Sequence, residues 1–377
     1  MIDGLVNFNL DEISPTIIKV IGVGGGGGNA VEYMYSKGIC DVDFVVCNTD
    51  AQILENSPVP VKIQLGVTLT EGHGAGNNPE IGAKSAEESL EEIKEMLRKN
   101  TKMVFITAAM GGGTGTGAAP VIARLAKEMG ILTVGIVSIP ARFEGPKRLN
   151  QAREGLKSLK DHVDCLIVID NEKIKKIYGS QTISAAFAKA NDVLNIAAKG
   201  IAEIITLPGY INVDFADVKT VMTNSGVAIM GAAQASGEDR ARRAIQEALD
   251  SPLLNNNDIR GAKDILLNIT SGTDEITMNE MTEITSIIIH EVGDSAAVIW
   301  GVGTDESLGD AISVTIIATG FPKDDIDIID TKPGRKEEDG LLLRAEEVPL
   351  KPDLTPQEIE ELENVPAFER RRNVRII

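Results

Sequence analysis

Residues 111–117 read Gly-Gly-Gly-Thr-Gly-Thr-Gly, and this run constrains the fold more than any other segment of the chain. It follows an apolar stretch that ends at Met110 and precedes small residues with helical spacing, so the pattern predicts strand, loop and helix. Glycine lets the backbone approach a ligand closely, and the N–H groups of such a loop surround an anion at a helix N-terminus. The run therefore indicates a phosphate site, with a merely flexible loop as the alternative.

Short apolar runs alternate with helical patterns through the first half of the chain. The predicted strands are residues 17–23, 43–48, 62–65, 103–107, 132–138 and 165–169, and the predicted helices are residues 29–37, 79–98, 118–129 and 147–162. β-branched runs that alternate with helices are typical of an α/β protein whose parallel sheet is covered on both faces. Such sheets bind ligands at the carboxyl ends of their strands, so the glycine runs at residues 22–28 and 111–117 should meet at one edge.

The remaining pattern predicts a second domain and a tail. Leu194 and Ile201 belong to a long helical stretch that would connect two domains. The expected segments are an N-terminal extension (1–15), a first domain (16–180), a central helix (181–207), a smaller α/β domain (208–322), a disordered acidic linker (323–363) and a basic C-terminal peptide (364–377).

Composition limits the class of protein. The net charge of −19 argues against general nucleic-acid binding, because phosphate backbones are bound by basic surfaces. No apolar run reaches the roughly 20 residues of a membrane span, and residues 1–15 do not resemble a signal peptide, so we expect a soluble cytoplasmic protein. Cys40, Cys47 and Cys165 lack the spacing of a metal site, so we expect reduced thiols and no metal held by protein ligands.

The glycine run at residues 22–28 contains the spacing G-x-G-x-x-G between a predicted strand and a predicted helix. Asp50 follows at the distance where a dinucleotide site has its ribose-binding acid, about 20 residues on, so an NAD-dependent oxidoreductase is one interpretation. The run is longer than that fingerprint needs, and a second phosphate-type loop on the same sheet suits a nucleoside triphosphate better. A Walker A motif is absent from the sequence, so such a site would not be a P-loop.

A third glycine-rich segment, residues 72–79, also precedes a predicted helix. Its small residues could close over the terminal phosphate of a nucleotide. An ordinary turn with Asn77 or Asn78 as the helix N-cap explains the segment equally well, so the local sequence leaves both interpretations open.

Asp214 and Asp217 form an acidic pair where a loop enters a predicted helix. The spacing puts both on one helical face, where they could be an N-cap and a first-turn acid or could orient and activate a water. The pair lies beyond the far end of the long helix, about 30 Å from the phosphate edge at a rise of about 1.5 Å per residue. If it is catalytic, it should therefore act on the nucleotide of a neighbouring molecule.

Seven segments in order closely resemble the FtsZ family, the prokaryotic tubulin homologues of cell division. They are residues 22–30, 48–52, 74–76, 111–117, 143–145, 191–192 and 212–218, within a match that covers about residues 16–320. The resemblance implies a tubulin/FtsZ-like fold, with a parallel-sheet GTP-binding domain, a long central helix and a smaller second domain. It also implies a GTPase that assembles head to tail into protofilaments of the division ring, with hydrolysis completed by the next subunit.

The same resemblance implies roles for individual residues. Those expected to bind GTP or GDP are Gly25, Gly26, Gly27, Gly28, Asn29, Asp50, Ala75, Gly76, Gly111, Gly112, Gly113, Thr114, Gly115, Thr116, Gly117, Glu144 (ribose), Arg148 (near the phosphates), Asn171 (sugar and base), Phe187 (packing on guanine) and Asp192 (accepting from guanine N1–H and the 2-amino group). Asn212, Asp214 and Asp217 are expected to position the hydrolytic water. Mg²⁺ is expected on the phosphates.

Residues 364–368 resemble the family's C-terminal docking peptide, so we expect a membrane-anchoring division protein to bind residues 364–377 at the midcell division site. The chain departs from the family pattern at Ala109, where glycine is usual, at residues 138–142 and after Phe368. The first two departures could alter the fit of the nucleotide slightly, and the third leaves the partner of the tail open. A tubulin relative that acts outside division is a further alternative, which the tail disfavours.

Overall fold

The computed structural model describes residues 16–39, 41–206, 209–211, 213–251, 259–293 and 296–321. The predicted N-terminal extension, linker and C-terminal peptide lie outside the described residues, and so do Cys40, Pro208 and Asn212.

Strands and helices alternate along the described chain, as the sequence predicts. The strands are β1 (Ile18–Val23), β2 (Val42–Asn48), β3 (Val61–Gln64), β4 (Met103–Ala109), β5 (Leu132–Ile139), β6 (Cys165–Asp170), β7 (Gly209–Ile211), β8 (Gly226–Ser236), β9 (Asp264–Ser271), β10 (Ala297–Thr304) and β11 (Ala311–Thr319). The helices are α1 (Gly24–Lys37), α2 (Ala51–Asn56), α3 (Val67–Thr70), α4 (Pro79–Glu88), α5 (Leu90–Arg98), α6 (Thr114–Glu128), α7 (Pro146–His162), α8 (Asn171–Tyr178), α9 (Ile183–Thr206), α10 (Phe215–Met222), α11 (Arg240–Leu249) and α12 (Met278–Val292).

The first six strands form a parallel sheet in the order β3-β2-β1-β4-β5-β6. Its register places Gly22 opposite Val46 on one side and Thr107 on the other, so the carboxyl ends of β1 and β4 lie together. Alternate residues of β4 supply two separate cores: Phe105 packs in one cluster and Ile106 in the other. The predicted parallel sheet with both faces covered is therefore confirmed.

The second half of the chain continues this sheet with mixed strands. β8 pairs in parallel with β6 and antiparallel with β11, and the order then runs β9, β10, β7. Ile245 of α11 and Ile284 of α12 pack with Leu267 of β9 and Ile316 of β11 in a third core. This smaller α/β half agrees with the predicted second domain.

Helix α9 connects the two halves, as predicted. Its buried residues Leu194 and Ile201 share one core with Phe105 of β4 and Ile317 of β11. At about 1.5 Å per residue, a helix of 24 residues is about 36 Å long. The loop that carries Asp214 therefore follows the C-terminal end of α9, about 36 Å from the N-terminal end at residue 183.

Tertiary contacts changed several predicted boundaries. The prediction that α1 begins at residue 29 is wrong, because α1 begins at Gly24 inside the glycine run. The predicted helix 79–98 is two helices that meet at Ser89, whose hydroxyl accepts a hydrogen bond from the Gly66 N–H and donates one to the Gln64 carbonyl. Ser89 thus bonds to the last residue of β3 and to the loop that follows it. These partners are distant in sequence, so local periodicity cannot reveal them.

The thiols of Cys47 and Cys165 are buried, and burial raises the pKa of each to about 12. Among the helices that the structure describes, none is long and apolar enough to pass through a membrane.

Candidate functional site

Both glycine loops border one cavity of about 330 Å³. It lies at the carboxyl ends of β1, β4 and β5, the edge at which parallel sheets bind ligands. The predicted site residues in its lining are Gly25, Gly26, Gly112, Gly113, Thr114, Gly115, Glu144, Arg148, Asn171 and Phe187. The structure therefore brings together residues that are far apart in the sequence and that were all predicted to bind one nucleotide.

Two helices begin at this cavity. α1 starts at Gly24 and α6 at Thr114, with no acidic residue in either first turn. The first N–H groups of a helix lack partners within the helix and carry its positive dipole end. Two helix N-termini that face one cavity make it suitable for a polyanion such as a triphosphate.

The glycines of the first run serve two purposes. A Cβ on Gly26 would lie 2.4 Å from the Cβ of Ala109, and one on Gly27 would lie 2.3 Å from the Thr107 carbonyl oxygen, so packing requires these two. At Gly25 and Gly28, nothing lies within 4 Å of the Cβ position. Gly25 lines the cavity, so the open space beside it is accessible to a ligand.

The two threonines of the second run have different roles. Thr116 is buried, and its Oγ1 accepts a hydrogen bond from the Gly111 N–H at 2.8 Å. This hydroxyl therefore stabilises the conformation of the glycine loop. Thr114 lines the cavity, and its Oγ1 lies 2.7 Å from Oγ1 of Thr49. Thr49 follows β2 directly and connects a third strand end to the site, a contact that sequence reasoning missed.

The third glycine-rich segment packs on the second. A Cβ on Gly113 would lie 2.8 Å from the Asn78 nitrogen and 3.0 Å from the Cβ of Ala75. The side chain of Asn78 accepts from the Glu80 N–H, so Asn78 is the N-cap of α4, and that part of the turn interpretation is confirmed. Ala75 lies beside the glycine loop, and neither Ala75 nor Gly76 lines the cavity, so their contact with a phosphate stays a prediction.

Glu144, Arg148 and Asn171 contribute polar side chains to the lining of the same cavity. Glu144 accepts from the Ala141 N–H through Oε1 and from Nη1 of Arg148 through Oε2, both at 2.9 Å. The Oδ1 atom of Asn171 is buried and has no hydrogen-bond partner within the described chain. An unpaired buried acceptor is unfavourable, so this atom is suited to a ligand that donates a hydrogen bond.

An apolar cavity of about 140 Å³ adjoins the first one and shares Glu144, Asn171 and Phe187 with it. Its other lining residues include Ile174, Tyr178 and Ala190. Burial raises the pKa of Asp170, the residue before Asn171. The hydrogen bond that the Asp170 carboxylate accepts from the Glu172 N–H acts in the opposite direction and lowers this pKa. The site thus has a phosphate-binding end rich in N–H groups and an apolar end suited to a planar base.

Two predicted residues have other partners. Asp192 is not in the lining of either cavity, and its Oδ1 accepts a hydrogen bond from the Tyr33 hydroxyl at 3.1 Å. Asp50 is the N-cap of α2 and accepts from the Ile53 N–H at 3.1 Å. Nucleotide contacts by Asp192 and Asp50 stay predictions.

The acidic pair is exposed and distant along the chain from the cavity lining. Asp214 accepts from the Asp217 N–H at 2.9 Å and is the N-cap of α10, so the capping interpretation is confirmed. Both carboxylates are solvent-exposed, and neither lines the cavity between the glycine loops. Capping occupies one oxygen of Asp214 and leaves the catalytic prediction untested.

Comparison with known proteins decides the family. The description "Tubulin/FtsZ family, GTPase domain" matches residues 17–179, and "FtsZ family, C-terminal domain" matches residues 226–322. The chain is 49% identical to the cell division protein FtsZ of Porphyromonas gingivalis, over 86% of this chain and 71% of that protein. It is 50% identical to the cell division protein FtsZ of Pseudomonas aeruginosa, over 83% of this chain and 79% of that protein. The chain belongs to the FtsZ family.

Solved FtsZ structures have the same fold. An FtsZ dimer from M. jannaschii is 43% identical, with a TM-score of 0.76 over 81% of this chain and 88% of that one. CetZ2 from Haloferax volcanii, at 22% identity and a TM-score of 0.68, shows the fold alone. As an FtsZ-family member the chain is a tubulin-like GTPase that binds GTP and GDP, so the oxidoreductase interpretation is wrong.

One departure from the FtsZ pattern lies in the cavity itself. Ala109, expected from the sequence to be such a departure, lines the cavity, and its methyl group occupies the space beside Gly26. A larger residue at position 109 would therefore press on α1 as well as on the phosphate-binding end.

Proposed function

We propose that this chain hydrolyses GTP when it is assembled head to tail, with residues 212–218 of one subunit completing the site of the next. The observation that carries the proposal is the separation of two sets of groups. The groups suited to binding a nucleotide converge on one cavity, whereas Asp214 and Asp217 are exposed beyond the end of a helix about 36 Å long. A pair so placed is able to reach a nucleotide held by another copy of the chain.

Within one subunit, the binding roles follow the two ends of the site. The N-termini of α1 and α6 would hold the phosphates, and the guanidinium of Arg148 would add positive charge beside them. Glu144 would accept from a ribose hydroxyl, and Phe187 would stack on the guanine ring. The unpartnered Oδ1 of Asn171 supports a contact with a donor of the sugar or base.

Mg²⁺ would be held mainly by the nucleotide. Among the described residues that line the cavity, Glu144 is the one carboxylate, and it already accepts from the Ala141 N–H and from Arg148. Mg²⁺ commonly keeps several waters and binds substrate phosphates with few protein ligands, so the donor set fits this arrangement. Bound there, the ion would neutralise phosphate charge.

In the neighbouring site, the acidic pair would orient the attacking water. Asp214 uses Oδ1 to cap α10, and its second oxygen is able to accept a proton of the water. Asp217, one helical turn on, presents a second carboxylate on the same face. Asn212, which lies outside the described residues, would take part in the same loop. General-base assistance of this kind contributes about 10²–10⁴-fold in rate.

The biological role proposed is assembly of the division ring in the cytoplasm at midcell. The relatives are named cell division proteins, and an FtsZ-family structure is described as a dimer. Residues 364–377, outside the described chain, would bind a membrane-anchoring division protein. Removal of residues 364–377 should therefore leave GTPase activity and filaments intact and abolish recruitment to a membrane carrying that partner. Failure of the shortened chain to assemble would assign the tail to the filament.

Assembly dependence is tested by phosphate release at increasing protein concentration. The rate per molecule should rise steeply above a threshold and fall towards zero on dilution, with sedimentation showing filaments in GTP and monomers below the threshold. A rate per molecule that stays constant on dilution would place the whole active site in one subunit. ATP in place of GTP is the control for base selectivity.

A further inference from the structure

Gln151 of α7 forms a contact that none of the proposed roles uses. Its Nε2 donates a hydrogen bond to the Asn77 carbonyl at 3.2 Å, and its Oε1 is buried without a partner among the described residues. We propose that Gln151 is a positioning residue that holds residues 74–78 in place for the third phosphate of the bound nucleotide. The proposal rests on the proposed function, because it takes that site to bind GTP.

The segment held by Gln151 lies directly beside the phosphate-binding loop. Ala75 and Asn78 approach Gly113 so closely that a Cβ at that glycine would lie 3.0 Å from the Ala75 Cβ and 2.8 Å from the Asn78 nitrogen. Gly113 lines the cavity. A shift of residues 74–78 would therefore move the wall beside the phosphate-binding end without touching the base end.

Helix α7 is anchored to the same loop. A Cβ on Gly111 would lie 2.9 Å from the Arg148 carbonyl oxygen, so the backbone of α7 abuts the glycine run. Gln151 is three residues after Arg148 and lies on the same side of the helix. One helix thus carries Arg148 in the cavity lining and, in the next turn, the side chain that bonds to Asn77.

The segment between α3 and α4 is an irregular turn to which the Gln151 bond adds a constraint. Gly74, Gly76 and Asn77 all have left-handed backbone angles, with φ of 84°, 56° and 58°. The backbone N–H of Gly74 donates to the Thr49 carbonyl at 3.2 Å and that of Asn78 to the Ala75 carbonyl at 3.0 Å. The Gln151 side chain adds a bond from another helix at the Asn77 carbonyl and so restricts the movement of this part of the segment. The Gln151 bond fixes the carbonyl of Asn77, the residue next to the N-cap of α4.

The unpartnered Oε1 of Gln151 indicates that the arrangement is completed on binding. A carbonyl oxygen is an acceptor, so it does not bond to a phosphate oxygen, and Gln151 therefore acts through the segment instead of touching the nucleotide. A buried acceptor favours states that supply a donor, and closure of residues 74–78 over a third phosphate would bring a loop N–H or a water to it. GDP lacks the group that would draw the segment inward.

The test measures the affinities of the monomeric full-length chain for GTP and for GDP. The Gln151→Leu variant removes both polar atoms and should weaken GTP binding by about 3- to 10-fold, the usual effect of one hydrogen bond, with GDP binding changed less than about twofold. The matched control is Asn150→Leu, which makes the same type of change at an exposed neighbour on α7. That control should leave both affinities unchanged.

A second variant guards against a failure of the first to fold. Gln151→Met keeps the length of the side chain and adds no charge but removes the donor to the Asn77 carbonyl, and it should lower the preference for GTP over GDP in the same direction. Equal weakening of GTP and GDP, or no change in either variant, would overturn the positioning role. A wild-type chain that binds GTP and GDP equally well would also overturn it. A wild-type chain that binds no GTP would refute the proposed function instead.

Discussion

The carboxylate of Asp214 accepts a hydrogen bond from the backbone N–H of Asp217, 2.9 Å from Asp214 Oδ1. Asp214 is thus the N-cap of α10 and at the same time one of the two acids proposed to position a water on the next subunit's nucleotide. The two roles need different properties, because a cap requires a side-chain oxygen and a general base requires a charge.

Substitutions at Asp214 should separate these roles. Asp214→Asn keeps an oxygen for the cap, so its free energy of unfolding should stay within a few tenths of a kcal/mol of wild type. Asp214→Ala should lose about 1 kcal/mol. Both variants should lose about 10²–10⁴-fold in GTP turnover while the monomer binds GTP normally. Urea unfolding, nucleotide titration and phosphate release measure the three quantities.

Mixing provides the control for this prediction. Asp214→Asn subunits added to wild type should slow hydrolysis beyond simple dilution, because each would cap a wild-type site with a defective loop. A variant that retains wild-type turnover would leave Asp214 with the capping role alone.

Base selectivity should depend on the α9 residues near Phe187. Asp192→Ala should reduce the preference for GTP over ATP, since a carboxylate that accepts from two guanine donors leaves adenine unsatisfied. The Tyr33 hydroxyl donates a hydrogen bond to Asp192, so Tyr33→Phe removes this bond while leaving the carboxylate in place. Tyr33→Phe should therefore reduce the preference for GTP over ATP less than Asp192→Ala does. Affinities of both nucleotides for each variant provide the measurement.

Asn191→Ala serves as the comparison, because Asn191 is four residues after Phe187 and shares its helical face. An unchanged preference in Asp192→Ala together with a reduced one in Asn191→Ala would move the base contact to Asn191.

Packing of α4 on α6 should make Gly117 intolerant of a side chain. A Cβ there would lie 1.9 Å from the Pro79 carbonyl oxygen and 2.7 Å from the Ala83 nitrogen. Gly117→Ala should therefore lower the free energy of unfolding by about 1–3 kcal/mol. The paired variant is Gly28→Ala, a helical glycine with nothing within 4 Å of its Cβ position, which should be neutral or stabilising by up to about 1 kcal/mol. Equal effects in urea unfolding would contradict the packing argument.

Acid stability should depend on the ion pair between Arg240 and Glu280. The Arg240 Nε donates to Glu280 Oε1 at 2.7 Å, and this bond lowers the pKa of Glu280 from 4.5 to about 2. A pKa depressed in the folded state contributes stability that is complete above pH 4.5 and is lost as the pH falls towards 2. Glu280→Gln, which keeps the capping box with Thr277, should flatten the loss of stability over that range.

Urea unfolding at pH 7, 4 and 3 would provide the measurement. The contribution of this pair is contradicted if wild type and Glu280→Gln lose stability in parallel between pH 4.5 and 2.

Much of the architecture could be predicted from local patterns. A short continuous apolar run such as the one in β4 lacks the 3.6-residue period of an amphipathic helix, and its length and flanking glycines favour a buried strand. Glycine runs after strands mark where the backbone approaches a ligand. These patterns, with the family resemblance, were enough to predict the sheet, the central helix and the edge at which Gly112, Glu144 and Phe187 meet.

The sequence by itself therefore determined which segments are strands and helices and which groups could bind phosphate, because periodicity and backbone freedom are local properties. Tertiary structure decided which of those groups meet. Contact with β4 requires glycine at positions 26 and 27, whereas nothing lies within 4 Å of the Cβ position of Gly25. Tertiary structure also brought Asp192 into a hydrogen bond with Tyr33. It also placed Gln151 against Asn77, two residues 74 positions apart in the chain. Such pairings depend on how helices pack on the sheet, which no local pattern of residues specifies.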